Sequence, residues 1–146
     1  VLRIEKGFIT HAEINGRTTA FDIGMARMVS GSKECIGKAA SQRPGLVGPD
    51  REQLVGLKPL TDSALTAGAH LFAQGDALTR ENSAGYTTSV GYSPTLASWL
   101  ALAFLRNGRA RHGETIRVVD RLRGIDVLCS VCDPVFHDPQ GEKLRA

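Results

Sequence analysis

Six short β-prone runs, separated by turns that contain glycine, recur along the chain after residue 50 and limit what it can fold into. They cover residues 53–57, 69–73, 84–90, 96–105, 115–119 and 125–131. Short strands at this spacing are typical of a small barrel or a sandwich. Only 5% of the residues are aromatic against 42% apolar overall, so the core must be mostly aliphatic. The sequence therefore predicts a mainly β fold, with barrel and sandwich both open at this point.

The stretch 85–96 is a β-prone run that ends at a Ser-Pro pair, and the apolar run 96–105 follows it directly. Two interpretations fit the second run. Serine and proline can begin a helix, and the leucine and tryptophan residues that follow lie at helical spacing. Alternatively, a tight turn at 94–97 leads into another strand. The residues alone support both equally.

The first part of the chain reads differently from the rest. Residues 2–6 end at Gly7 like the last turn of a helix with its glycine cap. We expect residues 8–14 to be extended and to lead into an Asn-Gly turn, and residues 32–40 to form a turn and a short helix. The glycine- and proline-rich stretch 41–50 is the best boundary candidate. Because the chain starts without methionine inside a helix-like pattern, we interpret it as a piece of a longer polypeptide.

Charge and hydropathy exclude two classes of partner. The net charge is +3 and the isoelectric point about 9.0, without the clustered basic face of a nucleic-acid-binding protein. The arginines around 106–112 are typical of a solvated turn, the alternative being a site for an acidic ligand tail. The longest apolar run is too short for a bilayer, which needs about 20 residues. No segment resembles a signal peptide. We therefore expect neither a nucleic acid nor a membrane as a partner.

Three cysteines without a disulfide pattern favour a reducing compartment, so we expect a cytoplasmic location. Cys129 and Cys132 match C-x-x-C, but they lie in a β-prone run, where residues three apart face opposite sides. No second pair completes a zinc site. We therefore expect inert thiols and no bound metal.

Several blocks of the chain together resemble one known family. Residues 2–8 (LRIEKGF) are similar to an L-R-L-E-K-G-[YF] stretch, and residues 33–38 to a K-x-F-I-G-K block. Residues 51–57 resemble R-x-L-V-G-L, and 85–96 with the following Ala-Leu-Ala resemble a barrel signature. In this order and spacing the blocks are those of the glycine-cleavage T-protein (aminomethyltransferase) family.

This resemblance implies a fold. It implies that residues 1–48 are the trailing edge of a folate-binding α/β region and that residues 49–133 form a six-stranded antiparallel β-barrel. It also favours the turn at 94–97 followed by a strand. We expect residues 134–146 to form an extended tail.

The end of the chain narrows the choice within the family. Residues 108–115 and 133–142 resemble the end of the α subunits of heterotetrameric sarcosine oxidases. Dimethylglycine dehydrogenases carry a related tail, and an aminomethyltransferase proper is a further alternative. A barrel that docks subunits without chemistry of its own is the competing class of function.

The resemblance also implies an activity for the parent protein. Such oxidases convert sarcosine to an imine and pass the electrons to oxygen. Their T-protein-like region transfers the one-carbon unit to tetrahydrofolate, and without folate the imine hydrolyses to formaldehyde and glycine. FAD, FMN and NAD belong to other parts of the assembly. The expected partners are the other subunits and the upstream part of the α subunit, and we expect this chain alone to be inactive.

The resemblance points to folate contacts but to no catalytic residue within the chain. Arg27 stands where the family usually has tryptophan, and a guanidinium can still stack on a flat ring. Tyr92 offers a flat face and a hydroxyl for a pterin. Arg111 and Arg145 are candidates for the carboxylates of the folate tail. Glu5 has a lysine beside it, which favours a surface or capping role.

Overall fold

Six antiparallel strands form a closed barrel in the computed structural model, which describes residues 1–145. The strands are β1 (Glu52–Pro59), β2 (His70–Ala73), β3 (Gly85–Ser93), β4 (Ser98–Arg106), β5 (Thr115–Asp120) and β6 (Ile125–Cys132). Around the barrel they follow the order β1-β4-β3-β2-β5-β6, so β6 returns to pair with β1. This confirms the six-stranded antiparallel barrel and excludes the sandwich.

The β3–β4 hairpin resolves the ambiguity after the Ser-Pro pair in favour of a strand. Ser93 pairs with Ser98 across a turn in which Ala97 adopts a positive φ of 46°. β4 is apolar along most of its length because both of its faces are buried. Its alanines and Leu105 fill the barrel interior, whereas Leu100, Leu102 and Phe104 belong to a second apolar cluster. A strand buried on both sides lacks the usual alternation, which is why its pattern also fits a helix.

The N-terminal segment, residues 1–48, contains short helices and no strand. These helices are α1 (Leu2–Glu5), a 3-10 turn (Ala26–Met28), α2 (Lys38–Ser41) and α3 (Pro44–Val47). Ile4 of α1 belongs to the second apolar cluster and approaches Gly91 of β3, where a Cβ would lie 3.3 Å from its Cδ1. Within residues 1–145, no helix is long and apolar enough to cross a bilayer.

The expectation of an extended stretch at 8–14 is wrong, because a turn closes at residues 11–13. The cause is the Glu13 side chain, which accepts a hydrogen bond from the backbone three residues before it. Glu13 Oε2 accepts hydrogen bonds from Thr10 N at 2.7 Å and Thr10 Oγ1 at 3.1 Å. The apolar pattern of the stretch gives no sign of this local competition for backbone donors.

The tail crosses α1 and then forms a helical turn, α4 (Glu142–Arg145), so it is not extended throughout. The backbone N–H groups of Phe136 and His137 both donate to the Glu5 carbonyl at 2.9 Å. Lys6 Nζ donates to the Asp138 carbonyl at 2.6 Å. Asp138 Oδ1 also accepts from the backbone N–H of Glu142 at 2.8 Å, which caps α4. The remaining element, a 3-10 turn (Gly108–Arg111), lies between β4 and β5.

Gly56 of β1 leaves room for the tail, and this gives a test of the packing. A methyl group there would lie 2.5 Å from the Asp133 carbonyl oxygen and 2.7 Å from Phe136 Cζ. Because the first contact is with backbone, we expect Gly56→Ala to lower the free energy of unfolding by about 1–3 kcal/mol in urea titrations. Gly16→Ala is the control, since no atom lies within 4 Å of a Cβ there. Equal losses in the two variants would contradict the packing described.

Candidate functional site: the junction of the N-terminal segment and the barrel

Two buried carboxylates of the N-terminal segment meet two serines of β3. Ser89 Oγ donates to Glu13 Oε1 at 2.5 Å and accepts from Arg3 Nη2 at 2.8 Å. Ser93 Oγ donates to Glu5 Oε1 at 2.6 Å. The surface or capping role expected for Glu5 is therefore wrong, because its side chain is buried and bonded to Ser93 of β3. Both serines belong to the stretch 85–96 that resembles the barrel signature. That stretch is therefore the part of the barrel to which the N-terminal segment binds.

Hydrogen bonds keep the Glu13 carboxylate charged despite its burial. Burial alone would raise the pKa of Glu13, but donors from Ser89, Thr88 and Thr10 outweigh it and hold the pKa below its ordinary value. A carboxylate fixed in this way holds the structure together and is poorly suited to exchanging protons with a substrate.

A second charged contact joins the segment to the start of β1. Arg51 Nε donates to Asp22 Oδ1 at 2.9 Å, and its Nη2 donates to Oδ2 at 2.5 Å. The same guanidinium donates to the Arg17 carbonyl at 2.8 Å and the Gly45 carbonyl at 3.2 Å. Arg109, from the 3-10 turn after β4, donates to the Asp22 carbonyl at 3.0 Å. The Asp22–Arg51 pair therefore fixes the position of the N-terminal segment relative to the start of β1.

A polar cleft of about 390 Å³ opens beside this pair. Its floor is aromatic, since the rings of Tyr86 and Phe104 lie 6.0 Å apart and tilted by 45°. Four separate parts of the chain line it, namely Asn15, Arg17, Thr18 and Asp22, then Asp50, Arg51 and Glu52, then Tyr86 of β3, and then Phe104 of β4. Charges of both signs face a flat apolar surface, an arrangement suited to a small ligand that carries donors and acceptors.

Glu52 and Tyr86 of the cleft have raised pKa values, whereas the pKa values of Glu13 and Asp22 in the buried contacts are lowered. Glu52 is exposed at the edge of the cleft, yet desolvation raises its pKa above the ordinary value. The opposing pull comes from the guanidinium groups of Arg106, Arg17 and Arg51. Burial, and then the nearby Glu52 charge, raise the pKa of Tyr86. Tyr86 is therefore a neutral hydrogen-bond donor at physiological pH, and Glu52 takes up a proton more readily than an ordinary glutamate.

The four residues predicted to contact folate lie apart from this cleft. Arg27 is exposed in the 3-10 turn of the N-terminal segment, and Tyr92 is 43% exposed with its ring against Trp99. Arg111 Nε and Nη2 donate to the two Glu114 carboxylate oxygens at 2.7 and 2.6 Å. Arg145 Nη2 donates to the Gln140 carbonyl at 2.8 Å. None of the four lines the polar cleft.

The sequence does not indicate that the residues of the cleft come together. Tyr86 lies in the stretch 85–96 that resembles the barrel signature, and its register opposite Phe104 places both rings on the outer face. Nothing in the sequence indicates that Arg17 and Glu52 meet, because they come together only when the N-terminal segment packs against β1.

The C-x-x-C cysteines behave as buried thiols. Burial raises the pKa of Cys129 to about 12 and that of Cys132 to about 11. Cys129 lies in the barrel interior, whereas Cys132 is only partly buried. Among residues 1–145, no group of three His, Cys, Asp or Glu side chains has metal-binding geometry.

The Asp22–Arg51 pair predicts a dependence of stability on pH. Burial alone would raise the pKa of Asp22, but hydrogen bonds from Arg51 and Thr19 lower it below its ordinary value. A depressed carboxyl pKa stabilises the fold above the unfolded pKa of about 4, and this stabilisation is lost as the pH falls through the folded pKa. We expect Asp22→Asn to cost about 2 kcal/mol at pH 7 and clearly less near pH 3. Urea titrations at several pH values measure both.

Asp62→Asn is the matched control, because Asp62 is exposed and forms no ion pair with any described residue. A constant difference between Asp22→Asn and the wild type from pH 7 to pH 3 would contradict the role given to this pair.

Comparisons with known proteins support the same lineage. A profile described as "Glycine cleavage T-protein C-terminal barrel domain" matches residues 52–138. The crystal structure of glycine cleavage system aminomethyltransferase T from Bartonella henselae superposes with a TM-score of 0.74 at 27% identity. That superposition covers 94% of this chain and 37% of the Bartonella chain.

Three curated relatives are similar in sequence. Sarcosine oxidase subunit alpha of Rhizobium meliloti (strain 1021) is 51% identical over 99% of this chain, and that of Corynebacterium sp. (strain P-1) is 37% identical over 98%. Aminomethyltransferase of Aquifex aeolicus (strain VF5) is 30% identical over 86%. The chain spans 15% of the length of each of these oxidase subunits and 33% of the aminomethyltransferase. Together with its closed six-stranded barrel, the match over residues 52–138 shows that this chain belongs to the family of glycine cleavage T-protein C-terminal barrel domains.

Proposed function

We propose that this chain is the C-terminal part of a sarcosine oxidase α subunit. The observation that carries the proposal is the 51% identity to the Rhizobium subunit over 99% of the chain. That similarity includes the N-terminal segment and the end of the tail, which both lie outside the barrel profile. The tail packs on the N-terminal segment through Phe136 and Glu5, so the similarity extends over one packed unit.

In the proposed parent enzyme, sarcosine loses two electrons to a flavin, which passes them to oxygen. The resulting imine gives glycine when its one-carbon unit goes to tetrahydrofolate, or glycine and formaldehyde when water attacks instead. FAD, FMN and NAD bind elsewhere in the assembly, and the other subunits are the partners. The free thiols of Cys35, Cys129 and Cys132 support a cytoplasmic location.

Within that enzyme, this chain helps to form the folate-binding region and has a structural role there. The three buried carboxylates of its N-terminal segment are already occupied, since Glu5 and Glu13 bind serines and Asp22 binds Arg51. None of the three is free to act on a substrate, which supports the view that the chain alone is inactive. Arg27 and Tyr92 are exposed and remain our candidates for folate contacts.

Arg111 and Arg145 remain candidates for the folate carboxylates, but they differ in availability. The Arg111 guanidinium already holds Glu114 in a bidentate pair, so a ligand has to compete with that carboxylate. Arg145 donates only to a backbone carbonyl among the described residues.

A docking role is the second candidate, and the exposed apolar residues of the N-terminal segment favour it. Leu2, Phe8, Met28 and Ile36 all extend into solvent in the chain as it stands. Exposed apolar side chains mark a contact surface where they form a contiguous patch, so these four are the residues at which another part of the protein would dock. This role and the folate role are compatible.

The intact oxidase tests the proposal. We expect sarcosine to yield formaldehyde, and tetrahydrofolate to lower that yield while oxygen consumption stays unchanged. Arg27→Ala should raise the tetrahydrofolate concentration needed for half of this effect, because it removes a group that stacks on the ring. Arg43→Ala is the control, since Arg43 is exposed and its side chain makes no hydrogen bond to the described residues.

Two results would contradict the proposal in different ways. A formaldehyde yield that does not respond to tetrahydrofolate would show that the transfer function is absent. Oxidation of dimethylglycine without oxidation of sarcosine would instead assign the parent protein to the dehydrogenases.

A further inference from the structure

A second cavity, of about 440 Å³, lies on the outer face of β2 and β5. We call it the β2–β5 cavity. It shares no lining residue with the polar cleft beside β1 and β3. Phe72 and Val119 line it from the strands, Leu78 lines it from the loop after β2, and Leu122 of the β5–β6 turn lies exposed at its rim. Its size is that of a pocket for a small organic molecule.

Hydrogen bonds give the loop over the cavity a defined shape. Arg121 Nη2 donates to the Leu78 carbonyl at 3.1 Å, which ties the loop to the β5–β6 turn. Asn82 Nδ2 donates to the Ala77 carbonyl at 2.9 Å. At the base of the loop, Ser83 Oγ lies 3.0 Å from His70 Nδ1. The loop after β2 and the β5–β6 turn, which together border the cavity, are therefore bonded to each other, and the loop is also bonded to β2 of the barrel.

The charges around the β2–β5 cavity are unbalanced. Arg80 forms no ion pair with any described residue, and Arg121 donates only to a carbonyl. Asp120 is the carboxylate among the lining residues, and it is already occupied. Its Oδ2 accepts from Arg123 Nη1 at 2.7 Å, and its Oδ1 accepts from the backbone N–H of Leu122 at 3.0 Å. Two guanidinium groups thus border an apolar cavity, and neither pairs with a carboxylate of the described residues.

We propose that the β2–β5 cavity binds a small amphipathic carboxylate. Its aromatic or branched aliphatic group lies on Phe72, Leu78 and Val119, and Arg80 and Arg121 bind the carboxylate. An apolar wall with a few polar groups at one edge fixes both the position and the orientation of such a ligand. A guanidinium favours a carboxylate over its neutral amide, because its hydrogen bonds to the charged group are the stronger ones. This proposal does not depend on the proposed function.

Indole-3-acetate and its neutral analogue indole-3-acetamide are suitable probes. We expect indole-3-acetate to shift the backbone amide resonances of residues 78–83 and 119–122 in a titration of the 146-residue chain followed by NMR. The acetamide should bind about tenfold more weakly. Arg80→Gln tests the carboxylate contact without disturbing the loop, because its side chain makes no hydrogen bond to the described residues.

The variants decide the outcome. We expect Arg80→Gln and Arg121→Gln each to weaken indole-3-acetate binding several-fold. Arg80→Gln should leave the weaker acetamide binding unchanged, whereas Arg121→Gln also removes the bond to the Leu78 carbonyl and should weaken the binding of both probes. Arg43→Gln is the control, because Arg43 is exposed and does not line the cavity. This variant should bind both probes like the wild type. The proposal is overturned if the two probes bind equally, if the shifts lie outside these two stretches, or if both cavity variants bind like the control.

Discussion

The contact between the Glu13 carboxylate and Ser89 is the constraint on which the rest of the structure depends. A carboxylate without solvent must find hydrogen-bond donors, because an unpaired buried charge is costly. Glu13 finds them in Ser89 and in the backbone and side chain of Thr10. The partners at the main contact lie 76 positions apart along the chain. Glu13 can therefore stay buried only while the N-terminal segment remains on β3, where Ser89 donates to it.

Keeping the segment in place has consequences for the barrel. Leu100, Leu102 and Phe104 on the outer face of β4 stay covered by Ile4 of α1. The tail then holds α1 from the other side, through the backbone of Glu5. Segment, barrel and tail thus form one packed unit, and the similarity to sarcosine oxidase α subunits extends over the same three parts.

The strands were predictable because their local chemistry agrees with the final fold. Glycine and Ser-Pro turns separate β-prone runs, and the family resemblance then distinguished barrel from sandwich and strand from helix. The turn at 11–13 was not predictable, since it depends on a buried carboxylate that takes up nearby backbone donors. The helical turn α4 was not predicted for a related reason. Its first N–H group donates to Asp138, which lies four residues before the donor and outside the usual capping position.

The candidate site was harder to predict than the fold. Its cleft combines Arg17, Glu52 and Tyr86, which come from three distant stretches and carry no shared motif. The residues named from the resemblance, Arg27 and Tyr92 among them, lie elsewhere on the surface and stay predictions about folate. A resemblance transfers the fold readily, whereas the position of a ligand depends on contacts that single residues do not reveal.

A double-mutant cycle on Glu13→Gln and Ser89→Ala tests the central constraint most directly. The free energies of unfolding of the wild type, both single variants and the double variant are measured by urea titration. If the two residues form the contact that holds the segment on the barrel, the effects are non-additive, with a coupling of about 1–3 kcal/mol. Effects that add within about 0.5 kcal/mol would contradict the account.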